Sequence, residues 1–567
     1  MLDTHSVAGK EGADPLVNVD CAETFWRSLP HDDPVELQRR LCGVLAQVGD
    51  WQDPDIEQFR ALRAVDYQTQ RLLASILFEH TVLGGHVPEV TRQRWLAGLE
   101  LSRSFSNAYD HVLRAVCELA PGSVWSERTP DLVVRLFRHR EVELLLTLCL
   151  YESWPRGRWK GLHDAYRFAL ATRAGKREVA VERRRNSRAK TVTPQQMYVR
   201  ILLLQLMDGG QFMSSEIAAA RLAIKSWSTV VSLVPGPDDG VPTRPANGFV
   251  VDLASGDGLK RATADLTSDH LWLDTAPIAA SIDRDVDALK NTPAEGSAAI
   301  SSRTRRLALL SKLKILCAPM PVRIRRRSER AAVSLMSVDV AAGDLNNIFK
   351  KLRDEARRVA ERSDAPELYR DEITITDAGA AALATTMDCV ESHPWWHVRD
   401  RSDSGCRLRG RVSDLQRWAP GSLIVFRNHE SVPWTVAVVR RLKKLVGNNV
   451  ELGVEHLGRN PQCVVMSPVA PDSSDSVEPF DASSERFAAL YLPESGSHPR
   501  IPIKTLIVLG CDFNKGRVVS MQSTRREVAV RLKKPIEYQT DFVWTTFEFI
   551  DGRLAASAAG NASAFPR

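Results

Sequence analysis

Two polar stretches carry the residue types that could do chemistry. Arg323-Ile-Arg-Arg-Arg-Ser-Glu-Arg330 places five arginines in eight residues, with Glu329 as its one acid. Guanidiniums packed this closely repel one another, so the run needs water or an anion around it. Their planar forks match phosphate oxygens and the O6/N7 edge of guanine, and they stack on flat rings. Alone, such a run reads as a solvated basic turn. The second stretch is Asp400-Arg-Ser-Asp-Ser-Gly405. It combines acceptors and hydroxyls with a glycine suited to a tight turn at positive φ. Alone, it reads as an ordinary surface turn. Together they form an RxxxR just before one strand-like segment and a DxSxxG at a later strand turn. Two arginine frames fit, Arg326 with Arg330 and Arg323 with Arg327.

The elements around these stretches follow from hydrophobic period. From about Cys21 to Ser228 apolar residues recur at helical spacing, as in Val35, Leu37, Leu41, Val44 and Leu45. The sequence predicts antiparallel helices there, with Trp26, Trp51, Trp95, Trp125, Trp154 and Trp159 as packing anchors. Within this part, the basic run Lys176–Lys190 reads as a loop, and Thr193-Pro-Gln-Gln as a capped helix start. Composition shifts to Pro, Gly and Asp at 234–248, a linker. Ala331–Val340 alternates like a strand, and Leu345–Arg362 is charged and helical. Beyond Trp395 several short strands follow. Trp434–Leu442 and Val450–Leu457 are joined by Val446-Gly-Asn-Asn, a hairpin signal. Regularly spaced short strands predict a small antiparallel barrel.

The order and setting of the two motifs resemble the PilZ domain, a small β-barrel that binds the bacterial second messenger cyclic di-GMP. The resemblance covers roughly residues 320–467 and implies Arg326, Arg330, Asp400, Ser402 and Gly405 as ligand contacts, with Arg323 and Arg327 as the other frame. In that family the arginine lead-in wraps round the nucleotide and the Asp/Ser/Gly turn grips it from the barrel. The whole chain resembles large multidomain PilZ-like proteins of proteobacteria. The expected fold class is α+β multidomain: an N-terminal all-α helical domain followed by small antiparallel β-barrel (PilZ-like) modules. The expected divisions are a disordered leader at 1–20 and a helical domain at 21–233. A small α+β module at 248–317, a degenerate PilZ-like unit, follows. The PilZ-like barrel occupies 318–467 with a helical insertion near 345–390, a C-terminal β module spans 485–551, and a flexible tail covers 552–567.

The functional expectation is a non-catalytic cyclic di-GMP receptor that alters a partner interaction. The alternative is a ligand-free PilZ-like adaptor or scaffold. The partner expected besides cyclic di-GMP is an unidentified protein that meets the helical domain. No P-loop, HExxH or GxSxG motif occurs, nor a GGDEF or EAL signature of the enzymes that make or break the messenger. His163 and Asp164 are sequence neighbours, which point apart on a helix. No cofactor is expected. A net charge of +6 on 567 residues argues against a protein coated in nucleic acid. Nine scattered cysteines with no CxxC pair read as reduced thiols in a cytoplasmic protein, without a metal site. No apolar window is long enough to span a membrane.

Overall fold

The computed structural model describes residues 14–82, 89–119, 123–182, 190–236, 248–261, 269–292, 297–318, 331–362, 392–411, 418–428, 432–447, 449–468, 486–493, 504–510, 512–522, 527–539 and 541–550. The chain divides into two compact units, the first holding Met1–Asp208, Ser214–Asp287 and Leu310–Val322, the second the rest.

The first unit is helical. Its helices are α1 (Val19–Arg27), α2 (Pro34–Gln47), α3 (Ile56–Val82), α4 (Glu89–Cys117), α5 (Thr129–Cys149) and α6 (Arg156–Ala171). A short antiparallel pair, β1 (Val179–Glu182) and β2 (Lys190–Val192), precedes α7 (Pro194–Gln205) and α8 (Ser214–Trp227). Local chemistry sets the starts. The Asp33 carboxylate accepts from the Val35 and Glu36 amides, with Pro34 at the first turn. Thr193 and Gln196 form a reciprocal capping box at α7. The centre of the unit is α5, which packs against α4, α6, α7 and α8. Nearly all of it is buried, including Arg135, His139, Arg140, Glu141 and Glu143.

Burying these charges requires partners. Arg135 holds Asp66 at 2.6 Å and Asp131 at 2.9 Å, His139 meets Asp66 at 3.0 Å, and the Tyr109 hydroxyl donates to Asp66 at 2.9 Å. Burial opposes ionisation of Asp66, but His139 and Arg135 outweigh it and keep the carboxyl well below the usual carboxylate range. Glu141 is met by Arg221 at 2.8 Å. The anchors Trp95, Trp125, Trp154 and Trp159 are buried, while Trp26 and Trp51 are only half-buried. The unit also carries a sheet ordered β3-β6-β4-β5, from β3 (Leu233–Pro235), β4 (Phe249–Asp252), β5 (Lys260–Arg261) and β6 (His270–Leu273). Helices α9 (Ala276–Asn291) and α10 (Ser297–Cys317) follow, and the division between units falls within them.

The second unit contains two closed six-stranded antiparallel barrels. The first is built from β7 (Ala331–Ala342), β8 (Ser392–Ser402), β9 (Gly405–Arg411), β10 (Leu423–Arg427), β11 (Thr435–Lys444) and β12 (Asn449–Arg459), in the order β10-β11-β12-β9-β8-β7. Its interior follows the two-residue period: Val450, Leu452 and Val454 of β12 point in, as do Cys406 and Leu408 of β9. Between β7 and β8 lies α11 (Leu345–Arg362).

The second barrel is built from β13 (Gln462–Pro468), β14 (Phe487–Leu492), β15 (Thr505–Leu509), β16 (Val518–Gln522), β17 (Glu527–Tyr538) and β18 (Phe542–Phe549), ordered β13-β14-β15-β18-β17-β16. Full closure leaves neither barrel a free edge. Although α11 is highly charged, Leu345, Ile348, Phe349 and Leu352 form one apolar stripe. That stripe packs into a core shared by both barrels, with Leu423, Val436, Leu490 and Trp544. Arg440 joins the barrels again. It is the extra residue of a bulge in β11, it donates to Glu455 at 2.6 Å, and it forks onto both carboxylate oxygens of Glu537. Burial opposes the Arg440 charge, but the two glutamates hold it more firmly protonated than an ordinary arginine.

The chain is therefore an α+β multidomain protein, with a helical region followed by two small antiparallel barrels. Among the described residues no helix is long and apolar enough to cross a membrane.

Candidate functional site on the first barrel

The DxSxxG stretch forms the hairpin between β8 and β9. Ser402 pairs with Gly405, leaving Asp403 and Ser404 as the turn. The Ser402 hydroxyl donates to the Gly405 carbonyl at 3.1 Å and fixes the turn from within. On the other side, the His456 amide of β12 donates to the Ser404 carbonyl at 2.9 Å. The hairpin tip is thus tied into the sheet.

Asp400 owes its direction to a bulge. Val398 pairs with Leu408 and points inward, yet Asp400 pairs with Arg407, so Arg399 is an extra residue. One inserted residue reverses the facing of all that follows it. Asp400 therefore lies beside Arg407 and meets it at 2.8 Å, and Arg407 reaches Glu451 of β12 at 3.5 Å. The three side chains make a charged row across β8, β9 and β12. All three are partly exposed, so this is a surface network rather than a buried pair.

Gly405 corrects one expectation. It does not take a positive φ, which among the described glycines belongs to Gly210, Gly248, Gly421, Gly447 and Gly516. Its constraint is close approach, since a Cβ at Gly405 would stand 2.2 Å from the Val454 carbonyl oxygen. Glycine is required by strand packing, not by the turn's dihedrals.

The start of β7 lies in the same place. Ala331 pairs with Arg401 and Ala332 with Asp400. Arg323, Arg326, Arg327 and Arg330 lie outside the described residues. The long segment between Ala332 and Asp400, which includes α11, returns to the same place because β7 and β8 are antiparallel neighbours.

Behind the hairpin, His456 takes the fourth inward place on β12, after Val450, Leu452 and Val454. It is 2% exposed, lies 5.5 Å from the Phe426 ring, and neither ring nitrogen finds a hydrogen-bond partner. Burial pushes its pKa down to about 4, helped by the charges of Arg401 and Arg459; Glu455 and the Asp403 carbonyl oppose this weakly. That carbonyl acts on the ring from outside hydrogen-bonding geometry.

Arg407, Arg409 and Arg411 were missed as candidates, although the sequence carried a signal. They alternate with Cys406, Leu408 and Gly410, which places all three arginines on the outer face of β9. The bulge at Arg399 had no such signal. His163 is a satisfied core residue: Nδ1 pairs with the Tyr198 hydroxyl at 2.7 Å and Nε2 with the Asp257 carbonyl at 2.8 Å. Its neighbour Asp164 is exposed and faces Arg167 at 3.4 Å. Seven described cysteines are free thiols, and no group of three metal-ligating side chains occurs among the described residues.

Residues 21–238, the helical region, match a family model described as the N-terminal domain of the cyclic-di-GMP receptor FimW. The match covers less than half of the chain and ends before the barrels. No curated protein and no solved structure matches the chain.

Proposed function

We propose that this protein is a cyclic di-GMP receptor whose ligand is clamped between the arginine lead-in and the hairpin of the first barrel. The observation that carries the reading is strand register. Ala331 and Ala332, which directly follow the arginine run, pair with Arg401 and Asp400 of the DxSxxG hairpin. The match of the helical region to a receptor family for this nucleotide supports it independently. Two phosphates and two guanines call for Arg forks, supplied by Arg326 and Arg330 or by Arg323 and Arg327. Asp400 accepts from guanine N1–H and N2–H, and Ser402 and Gly405 shape the turn that receives it. This arrangement is the one known for the PilZ family. The nucleotide is bound rather than transformed, and it orders the lead-in against the barrel, which changes how a protein partner meets the helical unit.

Calorimetry tests this on the full chain. Cyclic di-GMP should bind the wild type and bind Arg326→Ala/Arg330→Ala at least about tenfold more weakly, the equivalent of roughly 1.4 kcal/mol. No heat at high protein concentration, or equal binding by the variant, sinks the proposal.

A second reading has one observation in its favour. Asp400 already meets Arg407 at 2.8 Å, so a guanine must compete with that pair. A ligand-free adaptor would keep the motif as structure. It predicts partner capture that ignores the nucleotide and survives the arginine changes.

A further inference from the structure

The helical unit contains a cavity of about 520 Å³ between α1 and α3. Each helix contributes one face. On α1, Ala22, Trp26 and Arg27 line it; on α3, Arg60, Ala64 and Tyr67 do so. At an ordinary helix seam such positions are apolar and close the gap. Here the small side chains of Ala22 and Ala64 leave it open, and four arginines line it (Arg27, Arg60, Arg63 and Arg135) against one carboxylate, Glu23.

The arginines differ in how firmly they are committed. Arg135 lies at the base, held by Asp66 and Asp131. Arg63 shares that same Asp131 at 3.1 Å. Burial lowers the pKa of Arg63, so its charge is only partly compensated. Arg27 and Arg60 are at the rim. Among the described residues they pair with Glu23 and Glu57, three or four residues away on the same helix and about half exposed. Such surface pairs contribute at most about 1 kcal/mol and exchange readily for a better acceptor. A phosphate is that acceptor, since it takes guanidinium forks bidentately. The aromatic rings complete the chemistry. Tyr67 is 46% exposed, and Trp26 is half-buried with its ring 5.1 Å from that of His31. Partly exposed rings beside cations are what a planar base stacks on. The volume falls within the range of about 300–1,000 Å³ typical of small-molecule sites.

We propose that the α1–α3 groove is a second ligand site, separate from the barrel hairpin, that binds a nucleotide through its phosphates on Arg27 and Arg60 and its base on Trp26 and Tyr67. The site needs nothing from the barrel clamp and stands if that clamp fails.

Equilibrium dialysis of the full chain with labelled GDP tests it, with pyrophosphate as competitor. The wild type should retain GDP, and pyrophosphate should compete. Arg27→Ala/Arg60→Ala should weaken retention about tenfold or more. Ala64→Leu, which fills the groove, should do the same, and both losses should persist in an Arg326→Ala/Arg330→Ala background, where the barrel clamp cannot hold GDP. Both rim arginines are exposed, so circular dichroism should show their variant folded. No retention of millimolar GDP by the wild type overturns the proposal, as does unchanged retention by the rim variant. Retention lost only in the Arg326→Ala/Arg330→Ala variant would assign the binding to the barrel and likewise overturn it.

Discussion

Acidification should loosen the first barrel through His456. In the fold this imidazole is buried, without a hydrogen-bond partner, and stays neutral down to about pH 4. In the unfolded chain it titrates near its ordinary value of about 6.5. Between those values the unfolded state binds more protons, so stability falls as pH drops through that window. Integrated from about pH 7 to about pH 5, the loss is roughly 2 kcal/mol, and it approaches roughly 3 kcal/mol at about pH 4. Phenylalanine at this place would sit against Phe426 and has nothing to protonate. His456→Phe should therefore match or exceed wild-type stability at about pH 7, because it removes a buried unsatisfied group. It should also lose most of the acid sensitivity. Hydrogen exchange on peptides covering β10 and β12, corrected for intrinsic rates, reads the opening free energy of this barrel apart from the other elements. If wild type and His456→Phe lose protection in parallel on acidification, the assignment to His456 is wrong.

Other outcomes follow from single contacts. Gly405→Ala drives a methyl into the Val454 carbonyl, so it should destabilise the first barrel by about 1–3 kcal/mol and weaken cyclic di-GMP binding, measured by exchange and calorimetry. Asp66→Asn leaves Arg135 and His139 without their shared carboxylate inside α5. It should cost the helical unit about 3–5 kcal/mol in denaturant unfolding while sparing exchange in the barrels. Glu537→Gln weakens the fork from Arg440 and should lower barrel stability by roughly 1–3 kcal/mol. A variant with unchanged exchange in β11 and β17 would deny that link an energetic role.

The parts legible in the sequence were those with local causes. The start of α7 could be read because capping is local: Thr193 and Gln196 carry their own hydrogen bonds. The β11–β12 hairpin could be read from Val446-Gly-Asn-Asn between two alternating runs. At the candidate site, residue types suggest a ligand chemistry, but the direction of Asp400 depends on the bulge at Arg399, and bulges are settled by cross-strand packing rather than by propensity. The place of α11 was hidden for a similar reason. Its stripe of Leu345, Ile348, Phe349 and Leu352 announces an amphipathic helix, yet nothing local says that two barrels share the surface it covers. Gly405 was singled out for the wrong cause, since the close approach is by Val454, 49 residues further along the chain.

In the proposed clamp, one nucleotide holds two separate segments together. Hydrogen exchange with and without cyclic di-GMP tests it directly. Protection should rise together in the arginine lead-in up to Ala332 and in the 400–407 hairpin, and Arg326→Ala/Arg330→Ala should abolish both gains. Protection confined to one segment, or to neither at saturating nucleotide, would contradict it.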